Sequence, residues 1–215
     1  LQGVRAICDK HGIMMVLDEV MAGFGRTGKM FACEHWGVVP DLMSVAKGLT
    51  SAYLPLGAVL IREKIARHFE DNVFYGGLTY NSHPMGLAAA LACLDVFEQD
   101  KLVENAAKLG KVLARELGKL KEKHVSIGDV RSIGLFSIVE LVKDRQTREP
   151  LAPFNGHSQP MNDLKKALLD GGIYTFVRWN NFFINPPLCI TEEQLLEGLA
   201  IVDKALEITD RAVKA

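Results

Sequence analysis

The chain has 215 residues and a mass of 23.7 kDa, which at roughly 150 residues per domain allows one or two domains with a substantial core. Hydrophobic residues make up 48% and charged residues 24%, the balance of an ordinary folded body, which excludes a disordered, collagenous or disulfide-stapled chain. With 25 Lys and Arg against 26 Asp and Glu the formal net charge is -1, so there is no basic excess to condense on a phosphate backbone and nucleic acid is excluded as a partner.

Residues 1–11 read as the end of an amphipathic helix, with Val4, Ile7 and Cys8 on one face and Gly12 as its stop. The first residue is Leu1, not Met, so the sequence reads as a protein entered midway. Residues 13–17 are continuously apolar, as in a strand buried on both faces of a parallel sheet, and they end in two acids, Asp18 and Glu19. A glycine-rich turn, a short helix over residues 31–36 and a second apolar run over residues 42–46 follow, ended by Lys47 and Gly48. A loop with Tyr53 and Pro55 leads to a third apolar run, residues 56–61, and to a charged helix from near Glu63. This alternation predicts an α/β sheet with its active groups at the strand ends.

Residues 74–83 are a turn-rich loop, and Pro84 opens a long helix whose small residues, Ala88, Ala89 and Ala90, suggest close packing on the sheet. Residues 98–123 continue the helical pattern with abundant Lys and Glu. From about residue 128 the texture changes to short strands, residues 130–133 and 135–141. A proline-rich loop precedes a helix over residues 161–169, stopped by Gly171 and Gly172; strand-like pieces over 174–179 and 182–184 close at Pro186 and Pro187. Thr191, Glu192 and Glu193 then cap a last helix to about residue 212. A domain boundary is placed near residue 105, giving domains of 1–105 and 106–215.

The four cysteines, Cys8, Cys33, Cys93 and Cys189, form no CxxC pair or Cys/His cluster, so no metal site or disulfide framework is signalled and a reducing cytoplasm fits. No apolar run approaches the roughly 20 residues needed to span a bilayer, and the first residues lack a basic region followed by an apolar one. His35 and His83 lack partners at ligand spacing and are read as structural. Residues 23–28, GFGRTG, match GxGxxG after a strand, but the dinucleotide fingerprint also needs a long helix at the third glycine and an acid at the end of the next strand, where this chain has Lys47. Asp18 has two readings, a helix cap or surface acid, and a desolvated carboxylate facing a cationic ring nitrogen. Lys47 likewise reads either as a snorkelling surface lysine or, beside the small Ser44, Ala46 and Gly48, as a buried amine whose pKa falls from about 10.4 towards neutrality for Schiff-base chemistry.

The strings LDEVMAGFGRTG (17–28), DLMSVAKGL (41–49), LPLGAV (54–59), GGLTYNSHP (76–84) and NPPLCITEEQL (185–195) resemble, in order and spacing over essentially the whole chain, the class III aminotransferases, pyridoxal phosphate enzymes of fold type I. Members are about twice this length, so the resemblance implies a carboxyl-terminal half: the end of the large-domain sheet, then an α+β small domain. It implies that Lys47 forms the Schiff base with the cofactor and shuttles the proton between the substrate carbon and C4′, and that Asp18 pairs with the pyridine nitrogen. Val20 would pack on one ring face, or be ordinary strand core. Thr79 would reach the cofactor phosphate of a partner subunit, which implies a homodimer with shared active sites.

Departures narrow the implied substrate. Met21 stands where many members acting on ω-amino acids carry Gln, and Asn185 where many α-carboxylate binders carry Arg. Both point to the branches that use pyruvate with an amine, β-alanine or taurine. Arg178 lies where such members keep a mobile arginine for a keto acid's carboxylate, or is a surface arginine on a strand end. Trp179, Phe182 and Phe183 would line an apolar pocket or belong to the core. The implied activity is ping-pong transamination from an amine, β-amino acid or aminosulfonate to pyruvate or a similar keto acid. The alternatives are a same-family aminomutase or racemase, which needs no keto acid, and a catalytically inert truncated chain lacking the phosphate cup and the second stacking residue.

Overall fold

A computed structural model describes residues 1–213. They form two compact units, Leu1–Glu104 and one that begins at Asn105, and each is described by itself.

In the first unit, helix α1 (Gln2–His11) ends at Gly12, whose left-handed φ of 65° lets its N–H reach back to the last helical carbonyls. Three strands follow: β1 (Val16–Asp18), β2 (Leu42–Val45) and β3 (Ala58–Ile61), with β1 parallel to β2 and β3 antiparallel to it. The register pairs Asp18 with Ser44. The apolar run over residues 13–17 is not a strand buried on both faces: Ile13, Met14 and Val16 are exposed, and only Met15 points into a small cluster with Cys8, Val38 and half-buried Leu17. Likewise Val4 and Ile7 of α1 are exposed while Cys8 is buried, and every residue of β3 is exposed. Hydrophobicity marked these strands correctly, but no layer among the described residues covers those faces.

Asp41 ties the strands together at their other end. Its Oδ2 accepts from the Met15 N–H (2.8 Å) and pairs with the Arg5 guanidinium (2.7 Å), and Arg62 lies 3.5 Å from Oδ1. The charged helix α2 (Glu63–Ala66) is one turn, continued by a 3-10 turn over Arg67–Phe69. Helix α3 (Pro84–Gln99) starts on Pro84, with Nδ1 of His83 accepting the Met85 N–H at 3.3 Å. It buries Gly86, Ala90 and Phe97 but leaves Leu87, Ala88 and Leu91 exposed, so the expected close packing holds for one narrow face.

Helix α4 (Leu102–Lys123) leads into the second unit. Its buried positions 106, 109, 110, 113, 117 and 120 follow the three-four spacing of one helical face, which Val112 widens. That unit has a four-stranded antiparallel sheet, β4 (Ile127–Ile133), β5 (Phe136–Leu141), β6 (Val177–Arg178) and β7 (Asn181–Ile184), in the order β4-β5-β7-β6. Along β5 the buried residues alternate, Ser137, Val139 and Leu141, as one covered face requires. Helices α5 (Gln159–Asp170) and α6 (Glu192–Asp210) pack on each other and add Leu164, Leu168, Leu199 and Leu206 to one continuous core. Thr191 and Gln194 cap α6 reciprocally.

Gly110 of α4 has no room for a side chain: a Cβ there would lie 2.4 Å from the Cα of Gly134 in the β4–β5 turn. His124, 1% exposed, sits between Asp203 and Asp210, each ring nitrogen within 2.7 Å of a carboxylate oxygen. Ser126 donates its N–H and its hydroxyl to the same Asp210 oxygen, Oδ1, which holds the end of α6 against the start of β4. Among the described residues no helix is long and apolar enough to cross a membrane.

Candidate functional site

Parallel pairing of β1 and β2 brings Asp18 and Lys47 to the same end of two neighbouring strands, where open α/β sheets place their ligands. The Val20 N–H donates to Oδ1 of Asp18 (2.9 Å), the only hydrogen bond this carboxylate makes among the described residues. Lys47 follows directly after Ala46, in a left-handed backbone with φ of 42°, an uncommon conformation for a residue with a side chain. Its Nζ reaches the sulfur of Met21 at 2.9 Å. The structure therefore assembles Asp18, Val20, Met21 and Lys47 at one place.

Of the two readings open for each of Asp18 and Lys47, a surface group or a buried one, the described residues show the exposed form, with no described segment closing over that end of the sheet. Thr79, in the loop before α3, is also exposed. Arg178 belongs to the second unit, on β6, with its guanidinium stacked 4.2 Å over the ring of Trp179. Trp179 itself packs on Phe154, ring centroids 4.3 Å apart, at a left-handed φ of 53°. Of the three aromatics, Phe182 is fully buried core, and Phe182 and Phe183 line a cavity of about 500 Å³ with Tyr174, Phe176, Pro186 and Gln194; Trp179 does not.

The glycine-rich stretch is a run of turns, not a helix start. Phe24, Gly25 and Gly28 have positive φ, and the segment ends in a five-residue 3-10 turn, Ala32–Trp36, which leaves no room for the dinucleotide reading. Within it Phe24 is buried, edge-on to Phe31 and tilted against Phe97. His35 Nε2 lies 3.0 Å from the Thr27 carbonyl and 3.2 Å from its hydroxyl, a structural role.

Sequence reasoning missed Glu19. It is 3% exposed, and its Oε1 and Oε2 accept the N–H groups of Cys33 (2.8 Å) and Ala32 (3.0 Å). The signal was strand alternation: neighbours on a strand face opposite ways, so an outward Asp18 puts Glu19 inward.

A family model described as aminotransferase class-III matches residues 1–206. The chain belongs to the class III aminotransferases. Among curated relatives it is 40% identical over 208 residues to an adenosylmethionine-8-amino-7-oxononanoate aminotransferase of Geobacter sulfurreducens, covering 93% of this chain and 45% of that one. It is 37% identical over 216 residues to a taurine–pyruvate aminotransferase of Bilophila wadsworthia, covering 97% and 47%. Among solved structures it matches the taurine:2-oxoglutarate aminotransferase of Bifidobacterium kashiwanohense, in complex with PLP and glutamate, at a TM-score of 0.94 and 43% identity over 98% of this chain and 47% of that one. The chain spans about half the length of the curated relatives it matches. Its architecture is the α/β fold type I of class III transaminases.

Proposed function

We propose that this class III aminotransferase chain takes part in pyridoxal phosphate-dependent transamination, moving an amino group from an amine, β-amino acid or aminosulfonate to pyruvate or a similar keto acid. The observation that carries the reading is the acid and the amine at neighbouring parallel strand ends, Asp18 and Lys47, on a chain of this family. The two groups fit the cofactor chemically: a carboxylate matches a protonated pyridine nitrogen and a primary amine matches an aldehyde. When bound, pyridoxal phosphate supplies that aldehyde and a ring able to hold the electron pair released from the substrate's carbon.

This chain's residues have separate tasks. Asp18 would hold the proton on the pyridine nitrogen, with the Val20 N–H fixing one of its carboxylate oxygens. Val20 presents its side chain to a ring face. Lys47 would hold the cofactor through Nζ, and the same amine would serve as the base for the proton of the substrate carbon. Arg178, resting on Trp179, supplies a planar guanidinium for the keto acid's carboxylate. Thr79 reaches the cofactor phosphate of a second subunit, so the active assembly is a homodimer with shared sites. The units before and after residue 105 serve as large-domain and small-domain portions. Four free cysteines suit a reducing compartment such as the cytoplasm.

Met21 at the Lys47 amine favours a donor without an α-carboxylate, since a thioether offers no charge to pair with one. Steady-state kinetics of the native protein with taurine or β-alanine as donor and pyruvate as acceptor test the reading, with 2-oxoglutarate run alongside. Parallel double-reciprocal lines are expected. Intersecting lines, or turnover with no keto acid present, would contradict it.

A further inference from the structure

Glu19 is next to Asp18 in the chain, yet its carboxylate is buried and spent on backbone rather than on any cation among the described residues. Four bonds converge on it. Its N–H donates to the Ser44 carbonyl (2.9 Å), extending the β1–β2 ladder one residue past Asp18. Its carbonyl accepts the Gly23 N–H (2.8 Å), and a Cβ on Gly23 would lie 2.7 Å from that oxygen, so only glycine allows this closure. Its two carboxylate oxygens accept the Cys33 and Ala32 N–H groups, so the side chain closes the loop of residues 20–31 like a clasp.

That loop bears on Lys47 from two sides. Met21 meets the amine itself. Phe24 lies flat on the residue after it: a Cβ on Gly48 would be 2.6 Å from the Phe24 Cβ, so the buried phenylalanine sits directly on the Gly48 backbone. Lys47 is held in its left-handed conformation by what surrounds it, since an isolated lysine does not favour that region. This loop is part of those surroundings, together with helix α3, and the loop is closed by Glu19.

Resting on the proposed role of Lys47, we infer that Glu19 is a positioning residue which, by clasping the 20–31 loop to Ala32 and Cys33, sets the backbone and the amine of Lys47. Glu19 touches neither cofactor nor substrate. It acts through Met21, Phe24 and Gly48, and losing the clasp lets the lysine drift while leaving the substrate contacts in place.

The test uses the native protein loaded with pyridoxal phosphate and two variants. Glu19→Gln keeps the shape but turns an N–H2 toward a backbone N–H. Ala32→Pro deletes one donor to the clasp and pushes the Glu19 oxygen away, since the ring Cδ takes the place of the N–H it accepted; Pro suits the first position of a helical turn, and Phe31 before it is already extended, φ -126° and ψ 143°. The readouts are the pH at which the lysine-bound cofactor's absorption band titrates, kcat and KM separately, and the melting temperature. Both variants are expected to shift the band's titration by about half a unit or more, and to lower kcat by about 10- to 100-fold with KM little changed, the cost of a small misplacement. If Glu19→Gln fails to fold, Ala32→Pro decides alone. Folded variants with lowered melting temperature but wild-type titration and kcat would overturn the inference and leave Glu19 as scaffold. A wild-type protein showing no lysine-bound band at all would instead overturn the role proposed for Lys47.

Discussion

Asp18 and Lys47 are each unremarkable alone, and their meaning comes from sharing one end of two parallel strands. Asp18 gives a prediction of charge: Asp18→Asn keeps the side-chain volume and the Val20 N–H contact but cannot hold a proton on a ring nitrogen. We expect kcat to fall by about 100- to 1,000-fold, the scale for losing one charge-stabilising group, with cofactor still trapped on the lysine; unchanged kcat would rule out the pairing. Asp41 gives a prediction of pH. The Met15 N–H first, and the Arg5 guanidinium second, hold its carboxyl down from 3.8 to about 2. A folded-state value below the unfolded one means the contribution is complete above the unfolded value and is lost as pH falls from about 4 towards 2. Hydrogen exchange at the Met15 amide, followed by mass spectrometry down that range and divided by the intrinsic rate at each pH, should show loss of protection there, and Asp41→Asn should abolish the acid-induced change. At this scale the sequence showed which acids and lysines end strands. It did not separate Asp18 from its neighbour Glu19, because facing in or out depends on where the strand starts, and the apolar run over residues 13–17 hid that it begins at Val16.

The elements of the second unit were legible because their periodicity is clean: α4 buries every third or fourth residue and β5 every second one. What periodicity does not reveal is close approach between elements, and Gly110 is the case in point. In the pattern it is one small residue on a buried face; in the fold it is where α4 touches the Gly134 backbone. Gly110→Ala is accordingly expected to destabilise by about 1–3 kcal/mol despite its better helix propensity, because backbone must move rather than a side chain. Urea unfolding would measure it, and a gain in stability would show that the contact is loose. The short strand β6 illustrates the opposite failure. Aromatic residues suggested strand over 174–179, yet only Val177 and Arg178 pair, with Trp179 in a left-handed conformation at the two-residue turn that joins β6 to β7.

For the molecule as a whole, the family was written in five motifs spread along the chain, and the fold and family match over residues 1–206 agree with them. Burial at the candidate site was not legible. The same apolar residues that mark β1 and β3 as core strands, Ile13, Val16, Val59 and Leu60, are exposed, since hydrophobicity identifies a strand without identifying what covers it. In the proposed reading, Asp18, Val20 and Lys47 of the first unit would hold the cofactor, and Arg178 of the second would be available for a carboxylate. All of it depends on Lys47 being the residue that holds pyridoxal phosphate. Borohydride reduction of the native protein after loading with the cofactor, followed by peptide mass spectrometry, tests that directly. The account predicts a stable pyridoxyl adduct on the peptide containing Lys47 and its loss in Lys47→Ala; an adduct on a different lysine, or none on the folded protein, would contradict it.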